Sequence, residues 1–413
     1  MAAEVLAGLA IETVGWDHAD AVRLRAEQQH EIDLRYAEPG RPSVTGPDGA
    51  PGPDGAPGPD PRDQVDPSNV FATLLLRVDG EPAGHAALRD LSGRDDYQGG
   101  LHPDGTSEVK RVYIAPGFRG RGLSRTLMNA VEDVARAAGV RHLVLETGLM
   151  QPESLGLYLR MGYDPVESFG VFSDEPGSRC FGKWLVLEPG SRVEPGSRVE
   201  PASLVEPVET PCRELREVPW DDPDAATLRR AMWAFHQERY PQMARDVEAR
   251  GGHDVVDAER GRSALATFLA TLDGRPVACA TLAAALVGPE HLTADPLRGV
   301  AGLATANTAN TADSATIAGA ATAADATRDT HGFEMRSVFV DPAARRGGIA
   351  TALVRQIEAE ARRRGGLALY LGTGIRQPEA LRLYVKLGYR PVLPYPPHDD
   401  PQDAVLLLLG KPL

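Results

Sequence analysis

Apolar runs bounded by tight-turn residues occur in two matching sets along the chain. Residues 70–91 and 264–287 each hold two apolar stretches, separated by Asp79-Gly80 in the first and Asp273-Gly274 in the second. Both residue types tolerate positive φ, so each stretch predicts a β-hairpin. Upstream, residues 14–36 and 218–240 both read as a short strand, then Trp-Asp, then an amphipathic helix, with Asp17 and Asp221 the expected N-caps. Downstream, apolar strands at 109–115 and 335–341 run into Gly/Arg turns and long helices at 123–138 and 349–364. Strands at 142–147 and 367–373, short helices at 152–161 and 378–387, and last strands near 179–187 and 404–409 follow. The order in each half is β-α-(α)-β-β-β-α-β-α-β. It predicts an α/β fold (α+β in some schemes): a mixed sheet flanked by helices, with a parallel pair at the strand–helix–strand unit.

The two sets are an internal repeat. Residues 108–163 align with 334–389 end to end without a gap. A chain of 413 residues accommodates two such domains. The expected boundaries are 1–187 and 212–413, joined by a Pro/Gly/Glu-rich linker at 188–211. A Pro/Gly/Asp-rich stretch at about 40–66 interrupts the first domain, and an Ala/Thr-rich one at about 290–331 interrupts the second. Both carry little bulky apolar content and read as insertions.

Composition narrows the partners. The formal net charge is -14, which argues against nucleic acid held on a general basic surface and favours cationic amines. The three cysteines, Cys180, Cys212 and Cys279, are too few and too scattered for a disulfide framework or a metal site. A reduced, cytoplasmic location fits them, with Cys180 and Cys279 read as small apolar strand residues. No apolar run approaches the ~18 residues of a membrane span, and the first residues, with Glu4 and no basic cluster, do not read as a signal peptide. The sequence sets no oligomeric state.

The candidate chemistry lies in the strand–helix turn. It reads Arg119-Gly120-Arg121-Gly122-Leu123-Ser124 in the first half and Arg345-Arg346-Gly347-Gly348-Ile349-Ala350 in the second. Glycine permits unusual φ/ψ and close approach. A helix start offers free amides and the positive dipole end, and arginine adds charge-assisted bonds. Such a turn suits a pyrophosphate. Neither copy has the Gly-Lys-Ser/Thr of a P-loop, and RGRGLSR lacks the third glycine of a dinucleotide fingerprint.

On these residues both halves resemble the GNAT N-acetyltransferase superfamily, whose signature is Arg/Gln-x-x-Gly-x-Gly/Ala. Arg345, Gly348 and Ala350 match it in the second half, and Arg119 and Gly122 match in the first, with Ser124 at the small position. A Gln-Pro-Glu, Leu-Tyr and Gly-Tyr tail in each half extends the resemblance to all but the insertions and linker. It implies acetyl-CoA as acetyl donor, no metal, and direct attack by a primary amine of a small molecule, amino acid, peptide or antibiotic. It implies a backbone donor to the thioester near Tyr113–Ile114 and Phe339–Val340, with Val112 and Val338 on the same strands. It makes Tyr158 and Tyr384 the acids that protonate the departing thiolate. Glu108 and Glu334, which open the central strands, are the candidate bases or else solvated strand ends. The Gln-Pro-Glu segments read as helix starts, and Arg35-Tyr36 and Arg239-Tyr240 fall where the family places the acceptor pocket. The acid and the turn survive in both halves, while Glu146 becomes Gly372 and Lys110-Arg111 becomes Arg336-Ser337, so the reading predicts two acetyl-CoA sites with different acceptor pockets. The alternatives are a mycothiol-synthase-like acetyltransferase, or a chain with one half a non-catalytic CoA-binding module.

Overall fold

A computed structural model describes residues 8–36, 65–173, 175, 177–186, 214–293, 332–398 and 405–413. The described chain forms two compact units, one on either side of the expected linker. The linker, nearly all of both insertions and Cys212 lie outside the described residues. Pro289–Thr293, at the expected start of the second insertion, forms a short 3₁₀ turn.

The first unit runs β1 (Leu9–Val14), α1 (Ala19–Arg35), β2 (Val70–Val78), β3 (Glu81–Asp90), β4 (Thr106–Ile114), α2 (Leu123–Ala137), β5 (His142–Gly148), α3 (Pro152–Arg160), β6 (Asp164–Val166) and β7 (Ser178–Trp184). Its seven-stranded sheet has the order β1-β2-β3-β4-β5-β7-β6. Among the described residues only β4 and β5 pair in parallel. The second unit runs β8 (Glu214–Val218), α4 (Pro223–Arg239), α5 (Pro241–Ala249), α6 (His253–Gly261), β9 (Ala264–Leu272), β10 (Arg275–Ala284), β11 (Gly332–Val340), α7 (Ile349–Arg363), β12 (Ala368–Gly374), α8 (Pro378–Lys386), β13 (Arg390–Pro391) and β14 (Leu406–Pro412). Its sheet order, β8-β9-β10-β11-β12-β14-β13, repeats the first, again with one parallel pair, β11 and β12.

Local sequence explains these elements. Asp79 and Gly80 have φ of 51° and 84°, and Asp273 and Gly274 have 50° and 76°. Two successive left-handed residues make the turn whose twist matches the flanking strands. Helix α2 buries Leu123, Leu127, Met128, Val131 and Ala135 against its sheet. Helix α7 buries Ile349, Leu353, Val354, Ile357 and Ala361 at the same positions, so each helix presents one apolar stripe. Each also buries an acid at the same position. Glu132 meets Lys183 at 2.6 Å and Glu358 meets Lys411 at 2.8 Å, which ties the helix to the last strand of its own sheet. Cys180 and Cys279 are buried strand residues, and burial pushes both thiols up to about 12.

The expected caps shift by one residue. His18, not Asp17, caps α1, accepting from the Asp20 amide at 3.3 Å. Asp222, not Asp221, caps α4, accepting from the amides of Asp224 and Ala225 at 3.0 Å. Pro223 explains the second shift: it occupies the first helical position, so the residue before it must be the cap.

The central strands carry the feature that makes room for a site. Arg111 in β4 and Ser337 in β11 are non-glycine residues with φ of 57° and 52°. At each, two residues of the central strand face one residue of the neighbouring strand, a β-bulge. Parallel pairing between β4 and β5 ends at Val109↔Leu145, and between β11 and β12 at Glu334↔Tyr370. Beyond those pairs β4 continues to Ile114 and β11 to Val340 without their parallel neighbours, so each sheet opens at its centre.

Candidate active site

Beneath each bulge sits a buried side chain that engages its carbonyl. In the first unit this is His85, whose Nδ1 lies 3.0 Å from the Arg111 oxygen and whose Nε2 lies 3.2 Å from the Arg25 guanidinium. A neutral ring satisfies both contacts, donating from Nδ1 and accepting at Nε2, whereas a second proton would set donor against donor. Burial is the main reason the His85 pKa falls to about 4. In the second unit Cys279 takes the same place, its Sγ 3.6 Å from the Ser337 carbonyl oxygen. His236, on α4, is likewise held at about 4 by burial and by Arg260 and Arg239.

These two rings give a pH prediction. A histidine with a depressed folded pKa contributes stability above its unfolded value of about 6.5, and that stability is lost as pH falls toward the folded value. Unfolding free energy therefore drops between about pH 6.5 and about 4, by up to roughly 3 kcal/mol per ring. Ring titrations of His85 and His236 by NMR check this directly; protonation of both near the free-histidine value would contradict it.

Past the bulge, the strand enters the Gly/Arg turn. Gly122 and Gly348 are the residues before α2 and α7, both at φ 77°, and neither helix has a side-chain cap. Gly120 also has φ 77°, and its counterpart Arg346 holds φ 67° at the cost of a left-handed non-glycine residue, about 1–2 kcal/mol. Added Cβ atoms at Gly120, Gly122 and Gly348 would meet nothing within 4 Å. The uncapped helix starts are thus open as well as electropositive, which fits a pyrophosphate.

The two turns differ in what their leading arginine does. Arg119 donates from Nε to the Ile114 carbonyl at 2.8 Å and forms a two-point contact with Glu31, at 3.1 and 2.6 Å. Glu31 also accepts from Arg35 at 2.7 Å. Burial raises the Glu31 pKa, but the two arginines outweigh it and hold it below the usual carboxylate range. Arg345 makes the same backbone bond, to Val340 at 3.1 Å. Its guanidinium stacks over Phe235 at 4.8 Å, at the place corresponding to Glu31.

In the first unit a cavity of about 440 Å³ joins strand, turn and helix. Val112, Tyr113, Ile114, Arg119, Gly120, Gly122, Leu123, Ser124 and Tyr158 all line it. Arg121 does not; it stacks over Phe118. Glu108 does not either. It is fully buried, 2.5 Å from Arg89 and 3.4 Å from Lys110, so it is not a solvated strand end. The carboxylate that acts electrostatically on Tyr158 is instead Glu146, which adds to burial in raising the phenol's pKa.

The cavity of about 470 Å³ in the second unit lies away from the Gly/Arg turn. Glu334, Val338 and Tyr384 line it together with His236, Tyr240 and His398. Phe339 is in the core instead, and Val340 and Arg345 to Ala350 are not in its wall. Glu334 is buried. Its Oε2 accepts from Arg336 at 2.8 and 2.5 Å, and its Oε1 lies 2.9 Å from His398 Nε2. Burial pushes its pKa up, but His398 and Arg336 prevail and lower it. Burial alone raises the Tyr384 pKa, so the phenol stays protonated at neutral pH.

Sequence reasoning did not find His398, which lies past the end of the aligned repeat and so has no partner to flag it. By default it read the Gln-Pro-Glu segments as helix starts, with substrate contact the alternative. Arg35 meets Glu153 at 2.6 Å and Arg239 meets Glu379 at 3.1 Å, so each glutamate also fixes the end of α1 or α4. Tyr36 and Tyr240 complete the arrangement by accepting the amides of Met150 and Arg376, at 3.2 and 2.8 Å.

Comparison with known proteins agrees with this geometry. Residues 48–163 and 225–389, more than half of the chain, match the acetyltransferase (GNAT) family. An IAA acetyltransferase of Azospirillum brasilense is 40% identical over 72 residues, 17% of this chain and 47% of that protein. A streptothricin acetyltransferase of Streptomyces lavendulae is 38% identical over 55 residues, 13% of this chain and 29% of that protein. The chain thus spans about half or less of these curated relatives. A GNAT family acetyltransferase of Elizabethkingia anophelis, solved with acetyl-CoA bound, matches over 43% of this chain and 99% of its own, at 15% identity and a TM-score of 0.27. With the family matched once in each repeat and both mixed sheets built alike, the chain belongs to the acetyltransferase (GNAT) family.

Proposed function

We propose that the protein is an acetyl-CoA-dependent N-acetyltransferase that moves an acetyl group to a primary amine by direct attack in a ternary complex. The observation that carries this reading is the repeated order of open strand, uncapped glycine turn and buried tyrosine, with the tyrosine lining a cavity in each unit. The turn binds the pyrophosphate of the donor, and backbone at Tyr113–Ile114 and Phe339–Val340 faces the thioester. In the second unit the Glu334–His398 pair takes the proton of the incoming ammonium, directly or through water. The amine nitrogen forms its bond to the acetyl carbon, the carbon–sulfur bond breaks, and Tyr384 supplies a proton to the departing sulfur. In the first unit Tyr158 is the corresponding acid; Glu146 acts on it electrostatically, while Glu31 and Glu153 are the carboxylates in the cavity wall. The proposed domains are 1–187 and 212–413, each a complete acetyltransferase fold.

One observation favours unequal halves. In the first, Glu31 already neutralises the arginine that would meet the pyrophosphate. Calorimetric titration of the full chain should find two acetyl-CoA sites, the weaker one in the first half. Glu31→Gln should tighten that site by about tenfold by releasing Arg119. A stoichiometry of one in both proteins would contradict the two-site reading and favour a non-catalytic first half.

A further inference from the structure

The charges in the wall of the second unit's cavity do not balance. Three arginines and two glutamates line it: Arg250, Arg260, Arg336, Glu259 and Glu334. Arg250 pairs with Glu259 at 2.5 Å, and Arg336 pairs with Glu334. Arg260 has no carboxylate partner among the described residues; its guanidinium packs over the Trp233 ring at 5.1 Å. Burial and then the neighbouring Arg336 lower its pKa; Glu334 and Asp257 oppose that shift without reversing it, so the cation is still held at an electrostatic cost. An arginine does not discharge that cost by losing its proton. His236, beside it, stays neutral and cannot offset the charge.

The repeat shows that this is particular to the second half. Helix α6, which carries Arg260, has no described counterpart in the first unit. Where the first unit has Glu146 the second has Gly372, in the cavity wall, so one carboxylate fewer stands there to repel an anion. Met232, Trp233, Met243 and Leu406 give the rest of the wall an apolar character.

We infer that the acceptor of the second half is an amine that also bears a carboxylate on an apolar body, an apolar α-amino acid or a close relative, with its carboxylate bound by Arg260. The inference rests on the acetyl-transfer reading. Arg260 is a specificity determinant: its planar fork receives both carboxylate oxygens, and the apolar wall receives the side chain. The amine is then left for Glu334, His398 and Tyr384, which line the same cavity.

The test compares L-leucine, L-methionine and L-phenylalanine with their amides and with phenethylamine, on the full chain. Acetyl-CoA-dependent thiol release should favour each amino acid over its amide by about 10–100-fold in kcat/KM. Arg260→Met should raise KM for the amino acids by a similar factor and leave KM for the amides unchanged. Arg260→Lys should recover part of the loss. Binding is read separately by calorimetry, without acetyl-CoA, so that it does not depend on turnover. Amides that bind and react as well as amino acids, or an Arg260→Met change that weakens both alike, overturn the inference and leave acetyl transfer standing. Amino acids that bind through Arg260 without any thiol release support the anion site and contradict acetyl transfer to these amines. No binding and no turnover with any probe overturns the inference as well.

Discussion

In a Tyr158→Phe background, so that only the second half is read, replacing Tyr384 by Phe lowers kcat by about 10²–10³-fold, within the range of a general acid. Affinity for acetyl-CoA should stay within about a factor of two. Tyr384 is on α8, almost wholly buried, and its ring packs edge-to-face with Tyr389 at 5.8 Å. Phenylalanine keeps that packing and removes only the hydroxyl. A purely structural tyrosine would lose some stability and little rate. The acid role loses rate alone, because the thiolate then departs without a positioned proton. Burial keeps the phenol protonated across the neutral range, so the acid should not produce a falling limb of the pH–rate profile there. Tyr384→Phe activity within about threefold of its parent would remove this residue from the chemistry.

Asp257→Ala should destabilise the second unit by about 3–5 kcal/mol, the usual consequence of leaving a buried charge without its partner. Arg229, on α4, is only 1% exposed and meets both oxygens of Asp257, on α6, at 2.8 Å. Its other face packs on Trp220 at 3.7 Å. The remaining guanidinium nitrogen, Nη1, already lacks a partner. Removing Asp257 therefore abandons a desolvated cation and unhooks the helix that carries Glu259 and Arg260. Denaturant unfolding of the Asp257→Ala, Arg229→Met and double variants forms the check. The double variant should be more stable than Asp257→Ala alone, since a buried methionine needs no counter-ion. Equal losses in Asp257→Ala and the double variant would mean that the pair does not act as a unit.

Much of this was legible because the chain states its pattern twice. Asp-Gly between apolar runs predicts both hairpins, since the turn chemistry is local. The apolar stripes of α2 and α7 recur position for position, so the helices and the glycine turns before them could be read without a fold in hand. Tyr158 and Tyr384 came from the family resemblance, carried onto the same place in each half. Partnership was not legible. That Glu31 meets Arg119, 88 positions away in sequence, depends on how α1 crosses the sheet, and no local pattern encodes it. Glu108 could be a base or a solvated strand end in the sequence because Arg89, which pairs with it, is brought beside it only by the sheet. Helix caps slipped by one residue for a smaller reason: adjacent residues able to accept an amide compete, and in α4 proline decides between them. His398 and Arg260 lie where the two halves no longer correspond, and there repetition gives no help.

The most direct measurement is product analysis on the full chain with acetyl-CoA and the amine panel, following free thiol and the mass of the acceptor together. The account predicts one N-acetylated acceptor for each thiol released, with both signals lost in the Tyr158→Phe, Tyr384→Phe double variant. Thiol release without an acetylated amine, or no release with any amine, would contradict it.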